Sequence, residues 1–187
     1  MLVNKQTGFA MMEALVTALI VAIGVSGVGV LLLRSIQATQ DSSQQSQAMW
    51  IVQDFVGRLR ANSPAAKSSA YEGTTNLASC AAQPVPLCAS YNLAGVSNEV
   101  TQNCTSNELA AFDSWSTVCG LDNTVFDTPS DFIVNPILSS ECVQLDTRNE
   151  CVQYSITLTW DIKLTKGAVL AANRNNNNSF NMIVEVN

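Results

Sequence analysis

Histidine is absent from this 187-residue chain. Every scheme that rests on an imidazole is therefore excluded, from Ser-His-Asp triads to His-ligated metal centres. Positive charge is also scarce, with nine Lys plus Arg against fifteen Asp plus Glu and a formal charge of −6. Holding a phosphate backbone needs a basic face, so nucleic acid is not an expected partner. The six cysteines, Cys80, Cys88, Cys104, Cys119, Cys142 and Cys151, never form a CxxC pair, which removes the common zinc-binding spacing. Their even number and polar surroundings point instead to disulfides in an oxidising compartment, the alternative being reduced buried thiols. No metal or cofactor is expected.

What the sequence does contain begins with an apolar run. From Ala14 to Leu33 no charged residue occurs, and a helix of about 20 residues at ~1.5 Å each spans the ~30 Å hydrocarbon core of a bilayer. A conventional secretory signal peptide is one reading. Its apolar core is usually ~7–15 residues, and the Ile36/Ala38 pair does not satisfy the small-x-small cleavage rule. Lys5 on one side and Arg34 on the other leave orientation to the cysteines, which put the downstream chain outside the cytoplasm. Gly24, Gly27 and Gly29 lie inside the run with no proline. Close helix packing and a stretch able to unwind on assembly both account for them.

The residues that precede the run carry a pattern. Lys5-Gln-Thr-Gly8 is followed by Phe9-Ala-Met-Met-Glu13 and then directly by the apolar segment. This resembles the class III signal of type IV pilins and pseudopilins. The resemblance implies cleavage after Gly8 by a prepilin peptidase, N-methylation of the new terminus at Phe9, and a glutamate as fifth mature residue, here Glu13. A carboxylate ~6 Å along a helix from its start is tolerated near the positive end of the helix dipole. In a packed bundle, Glu13 could also approach the amino terminus of a neighbouring subunit. A mispaired subunit would then bury a charge alone at several kcal/mol, so such a pair would set the register between chains.

Beyond Arg34 the polar stretch Gln37 to Gln47 has few helix breakers. A stripe then follows at Ala48, Ile51, Val52, Phe55, Val56 and Leu59, the spacing of a half-buried helix. A single helix from Phe9 to about Asn62 is expected, stopped by Asn62-Ser63-Pro64. Ala65 to Asn103 reads as irregular and pinned by cysteines. In "CTSNELAAFDSWSTVCG", Thr105 and Glu108 have capping-box spacing and Gly120 suits a helix stop; Leu109, Phe112 and either Trp115 or Val118 share a face. The stretch from Cys104 through Trp115 is similar to a helix of PilV-type minor pilins. Val152 to Leu164 alternates as a strand, as does Phe180 to Val186, with Asn173 to Asn178 between them as an exposed loop. A third strand at Glu141 to Leu145 would bring Cys142 opposite Cys151, which predicts that disulfide. For the other four cysteines three pairings are possible, with a preference for one linking the 80/88 region to Cys104 or Cys119.

The expected fold is α+β, the type IV pilin fold. A long helix with a transmembrane half and an amphipathic half packs on an antiparallel sheet pinned by disulfides. Its divisions are a leader at 1–8, the membrane and assembly half of the helix at 9–33, the amphipathic half at 34–62, and a periplasmic globular region at 63–187. No catalytic set emerges. Asp113 and Asp161 read as solvated positions, Lys5, Lys67, Lys163 and Lys166 lack a serine motif, and "DTPSD" and "DTRNE" read as turns rather than calcium loops. The resemblance implies a minor pilin that helps prime a type IV pilus and sits at or near its tip. It also implies the partners: prepilin peptidase, other minor pilins, the major pilin and a PilY-type tip adhesin, with residence in the bacterial inner membrane before assembly. Alternatives are a type II secretion pseudopilin and a periplasmic or secreted binding module behind a conventional signal peptide.

Overall fold

Proline is missing from the whole of Phe9 to Ala61, and these residues form one helix, α1, of 53 residues. The computed structural model describes residues 9–93, 96–100, 103–120, 133–161 and 177–186. Two compact units divide the chain, residues 1–42 and 43–187. In the first, every described side chain from Met11 to Gln40 is exposed. The hydroxyls of Thr17 and Ser26 donate to the carbonyls of Ala14 (3.0 Å) and Ile23 (2.8 Å). These bonds satisfy both polar groups within the helix, as an apolar environment requires.

The second unit is built around the final part of α1. Ala48, Val52, Phe55 and Leu59 are fully buried there. They join Tyr154, Ile156, Leu158 and Trp160 in the core. Completely burying an aliphatic or phenylalanine side chain contributes about 1.5–3 kcal/mol, so this stripe is the main force docking the helix on the sheet. One polar contact accompanies it, from Trp160 Nε1 to Oε1 of the buried Gln44 at 3.4 Å. α1 stops at Ala61, one residue before the expected end. Pro64 then opens a second short helix, α2, at Ser63–Lys67, because a first-turn proline loses no helical hydrogen bond.

The sheet is antiparallel with strand order β1-β4-β5-β6. Its strands are β1 (Gly73–Thr75), β4 (Val134–Leu145), β5 (Cys151–Asp161) and β6 (Asn177–Glu185). A separate hairpin pairs β2 (Tyr91–Leu93) with β3 (Val96–Asn98). The stretch 65–103 is therefore not simply irregular. It holds α2, the edge strand β1, a 3-10 helix at Leu77–Ala81 and this hairpin. β1 is too short to show alternation, and Gly73 at its start has φ +147, a backbone angle disfavoured for other residues. Its placement comes from long-range contacts: the Ser140 hydroxyl donates to the Tyr71 carbonyl, and the Cys142 N–H donates to Glu72 Oε1 at 3.0 Å.

β5 alternates as expected, with Tyr154, Ile156, Leu158 and Trp160 buried on one face. Ile162 and Leu164 lie outside the described residues. The Asn tract is corrected in part. Asn177 and Asn178 belong to β6 and pair with Asp161 and Trp160, while 173–176 fall outside the described residues. β4 starts at Val134, seven residues before the expected strand: its first half alternates in burial, with Pro136, Leu138 and Ser140 inward, but the residue types in Val134-Asn-Pro-Ile-Leu-Ser-Ser do not alternate between apolar and polar. Between β4 and β5, Asp146 Oδ1 accepts from the N–H groups of Arg148 (2.8 Å) and Glu150 (2.9 Å), closing "DTRNE" as a turn. "DTPSD" lies outside the described residues.

Helix α3 runs from Ser106 to Cys119. Thr105 and Glu108 form the reciprocal cap: the Thr105 N–H donates to Glu108 Oε2 at 2.7 Å, and the Glu108 N–H donates to Thr105 Oγ1 at 3.3 Å. Gly120, at φ 69, closes the other end. Both Trp115 and Val118 are buried with Phe112, whereas Leu109 is only half-buried.

Three disulfides join Cys80 to Cys119, Cys88 to Cys104, and Cys142 to Cys151. The last has the expected partners but not the expected register. Cys142 faces Tyr154 and Leu145 faces Cys151, with pairing slips on both sides of Gln144. Bulges of this kind re-aim a side chain, and the two cysteine Cα atoms come to 5.9 Å. Sequence separations of 9 and 39 residues for the 142–151 and 80–119 bridges correspond to about 3 and about 4 kcal/mol on the chain-entropy model. Urea unfolding of Cys142→Ser/Cys151→Ser and Cys80→Ser/Cys119→Ser variants should show losses in that order; a larger loss from the short bridge would contradict the entropic account.

Candidate functional site

Two features of the chain need a functional explanation, one in each unit. In residues 9–33 the only charge is Glu13, on an exposed helix face. Phe9 is the first residue of α1, and Gly8 lies outside the described residues. Around Gly24, Gly27 and Gly29 there is open space, with nothing within 4 Å of an added Cβ. The segment is long and apolar enough to cross a membrane, and its side chains from Met11 to Leu33 are exposed. It presents an apolar cylinder to its surroundings.

The second feature is a buried polar network in unit 43–187. Tyr71, 1% exposed, donates its hydroxyl to Asp113 Oδ2 at 2.6 Å. Asn62 Nδ2 donates to the Tyr71 oxygen (3.2 Å) and to the Ser106 carbonyl (2.7 Å). Arg58 Nη1 donates to Ser116 Oγ at 2.8 Å and stands 3.7 Å from Asp113 Oδ1, while its Nε holds Asp54 at 2.8 Å. The end of α1, the turn after α2, and α3 are thus linked through buried and half-buried groups. Phe55 packs edge-on against the Tyr71 ring, with centroids 5.7 Å apart.

This corrects the reading of Asp113 as a solvated position, since it is 6% exposed. The helix pattern could not reveal it, because Asp113 sits between Phe112 and Trp115 on a face wide enough to take a polar residue. Arg58 and Tyr71, its partners, are distant in sequence and carried no local signal. Asp161 is half-buried and accepts from Asn135 Nδ2 at 2.6 Å. Lys67 ends α2; Lys5, Lys163 and Lys166 lie outside the described residues.

Burial raises the Asp113 carboxyl above its ordinary value, with the Tyr71 hydrogen bond and Arg58 opposing the shift. Burial also raises the Tyr71 hydroxyl, assisted by the hydrogen bond to Asp113. Tyr154, which donates to the Ala66 carbonyl at 2.8 Å, is pushed up to about 12, first by burial and then by the charge of Glu72. The two tyrosines therefore keep their protons well above neutral pH.

A family model described as Tt1218-like, type IV pilin Tt1218, matches residues 30–115. That match supports membership of the type IV pilin superfamily. The long helix, the four-stranded antiparallel sheet and the three disulfides form a pilin-like α+β fold. Neither a curated protein nor a solved structure matches this chain. Membership points to a structural protein that assembles with other pilins. The apolar helix fits a membrane-anchored pilus component.

The tyrosine shifts predict how this protein responds to alkali. The folded state keeps the Tyr154 proton up to about pH 12, whereas an unfolded tyrosine loses it near pH 10. Stability is therefore full below about pH 10 and declines as pH rises through the folded value. The urea midpoint should fall over that range, and less steeply in Tyr154→Phe; equal slopes would show that Tyr154 makes no contribution.

Proposed function

We propose that this pilin is a minor pilin of the PilV type. It helps prime assembly of a type IV pilus and resides at or near the tip, joined to other minor pilins through its apolar helix. In this reading residues 1–8 are a leader removed after Gly8, and 9–33 is the membrane and assembly half of the helix. Residues 34–62 are the half that carries the globular region 63–187, held in the periplasm before assembly. The observation that carries the reading is the pilin match over 30–115, which begins at the end of the apolar run 9–33, whose single charge is Glu13. The similarity of Cys104 through Trp115 to a PilV-type helix supports the finer assignment.

Glu13 is the proposed register residue. Cleavage after Gly8 would leave a cationic amine on Phe9, and the carboxylate of Glu13 would neutralise the amine of an adjoining subunit. In a low-dielectric bundle that pair resists salt, and a misregistered neighbour leaves a charge unpaired. A prepilin peptidase would cut and methylate the terminus. Other minor pilins and the major pilin would pack on the helix, and a PilY-type adhesin would sit above it.

Mass spectrometry of the mature protein should find N-methyl-Phe9 at its start; a start near Thr39 would replace this reading with a binding module behind a signal peptide. Deletion of the protein should abolish surface filaments and twitching, whereas a secretion defect alone would assign it to the pseudopilins. Glu13→Gln should lower recovery in sheared pili by at least about tenfold, the equivalent of about 1.4 kcal/mol. Unchanged recovery would remove Glu13 from the docking mechanism.

A further inference from the structure

The two edges of the four-stranded sheet are finished differently. β1, at one edge, has three residues, and just past its pairing with Ser140 the Cys142 N–H of β4 is taken by Glu72 Oε1 at 3.0 Å. A very short edge strand and a charged side chain at the edge are both ways in which natural sheets refuse further strands. β6, at the other edge, has nine residues and no proline, lysine or arginine. Its nine pairs with β5 run from Glu185 opposite Gln153 to Asn177 opposite Asp161 without a bulge. The Val186 N–H donates to the Val152 carbonyl at 2.9 Å. Alternate residues of an antiparallel strand turn both backbone groups to the same neighbour, so Val184, Met182, Phe180 and Asn178 also bond β5. The N–H and C=O groups of Glu185, Ile183, Asn181, Ser179 and Asn177 therefore point away from the sheet, and among the described residues no strand pairs with them.

We infer that this edge of β6 receives an extended segment of a different polypeptide, which adds to the sheet as a further strand. An extended backbone presents donors and acceptors at the spacing of the whole outward row, so the edge itself names the chemistry of its occupant. Side chains define the segment further. Phe180 and Met182 pack against the core yet stay only partly buried, so apolar residues of the added strand cover them from the side. On the opposite face Ser179, Asn181, Ile183 and Glu185 are exposed, Ile183 to 61%. The charges of β4, β5 and β6 are Glu141, Asp161 and Glu185, with no lysine or arginine. A second copy would bring the same carboxylates, whereas a segment with polar and basic residues on this face complements them. The contact goes beyond helix packing: it is made by backbone in unit 43–187 and is independent of Glu13.

The test places a photo-crosslinking amino acid singly at positions 179, 181 and 183 of the full chain in its own cells and maps the adducts by mass spectrometry. The three adducts should fall on one segment of another protein, stepping by two residues as paired strands require. Adducts in β6 of a second copy, adducts scattered over unrelated sites or lipid, or no adduct would each overturn the inference. Ile183→Pro removes an outward N–H and no bond to β5, so it should lower the adduct yield from position 179 at least fivefold with unchanged thermal unfolding. If the proline itself unfolds the domain, Ile183→Lys, which sets a charge on the exposed edge, carries the same expectation. Unchanged yield in a folded variant overturns strand addition. Adducts are read on the intact chain whether or not filaments form, so this outcome is separate from the pilus reading.

Discussion

An apolar helical surface that its own chain leaves uncovered is the constraint on which this molecule depends. Water cannot be its resting environment, because apolar area on the scale of residues 11–36 costs more in hydration than a domain of this size can offset. It must lie in lipid or against other helices. Within those environments the backbone is satisfied by the helix itself, and the Thr17 and Ser26 hydroxyls by their own preceding turns. Between residues 9 and 33 Glu13 is the sole charged side chain. A single charge in an apolar surface is a strong selector of partners, since only a counter-charge in the right place removes the penalty of burying it.

The globular unit answers a different demand. It must be rigid where it grips α1, and it is held there by two mechanisms with different ranges. The apolar stripe supplies most of the attraction and tolerates small slips. The Arg58–Asp113–Tyr71–Asn62 network supplies direction, because hydrogen bonds at 2.6–2.8 Å such as Tyr71 to Asp113 and Arg58 to Ser116 are lost after a small displacement. The disulfide from Cys80 to Cys119 ties the 3-10 segment to the end of α3, and the one from Cys142 to Cys151 closes the β4–β5 hairpin. A domain with little regular structure between α2 and α3 is thereby kept in one arrangement.

Much of this was legible in the amino acids. The helix, its stop at Asn62-Ser63-Pro64, the Thr105/Glu108 cap, the β5 alternation and the partnership of Cys142 with Cys151 all depend on interactions within a few residues. The leader and register roles proposed for Gly8, Phe9 and Glu13 rest on a local spacing as well. What escaped was non-local. β1 has three residues and no pattern, and its strand identity comes from Ser139 and Ser140 of β4. The early part of β4 likewise gains its strand character from β5.

Composition and spacing by themselves determined the apolar span, the oxidising compartment implied by six cysteines, the lack of imidazole chemistry and the α+β order of elements, because each follows from residue type or short-range periodicity. Only the tertiary structure decided that Asp113 is buried against Tyr71 and Arg58, that bulges around Gln144 set the Cys142 register, how the four upstream cysteines pair, and that Trp50 faces outward while Ile51 and Val52 face the core. Those outcomes depend on which distant segments meet, and contacts across tens of residues leave no periodic trace in the chain.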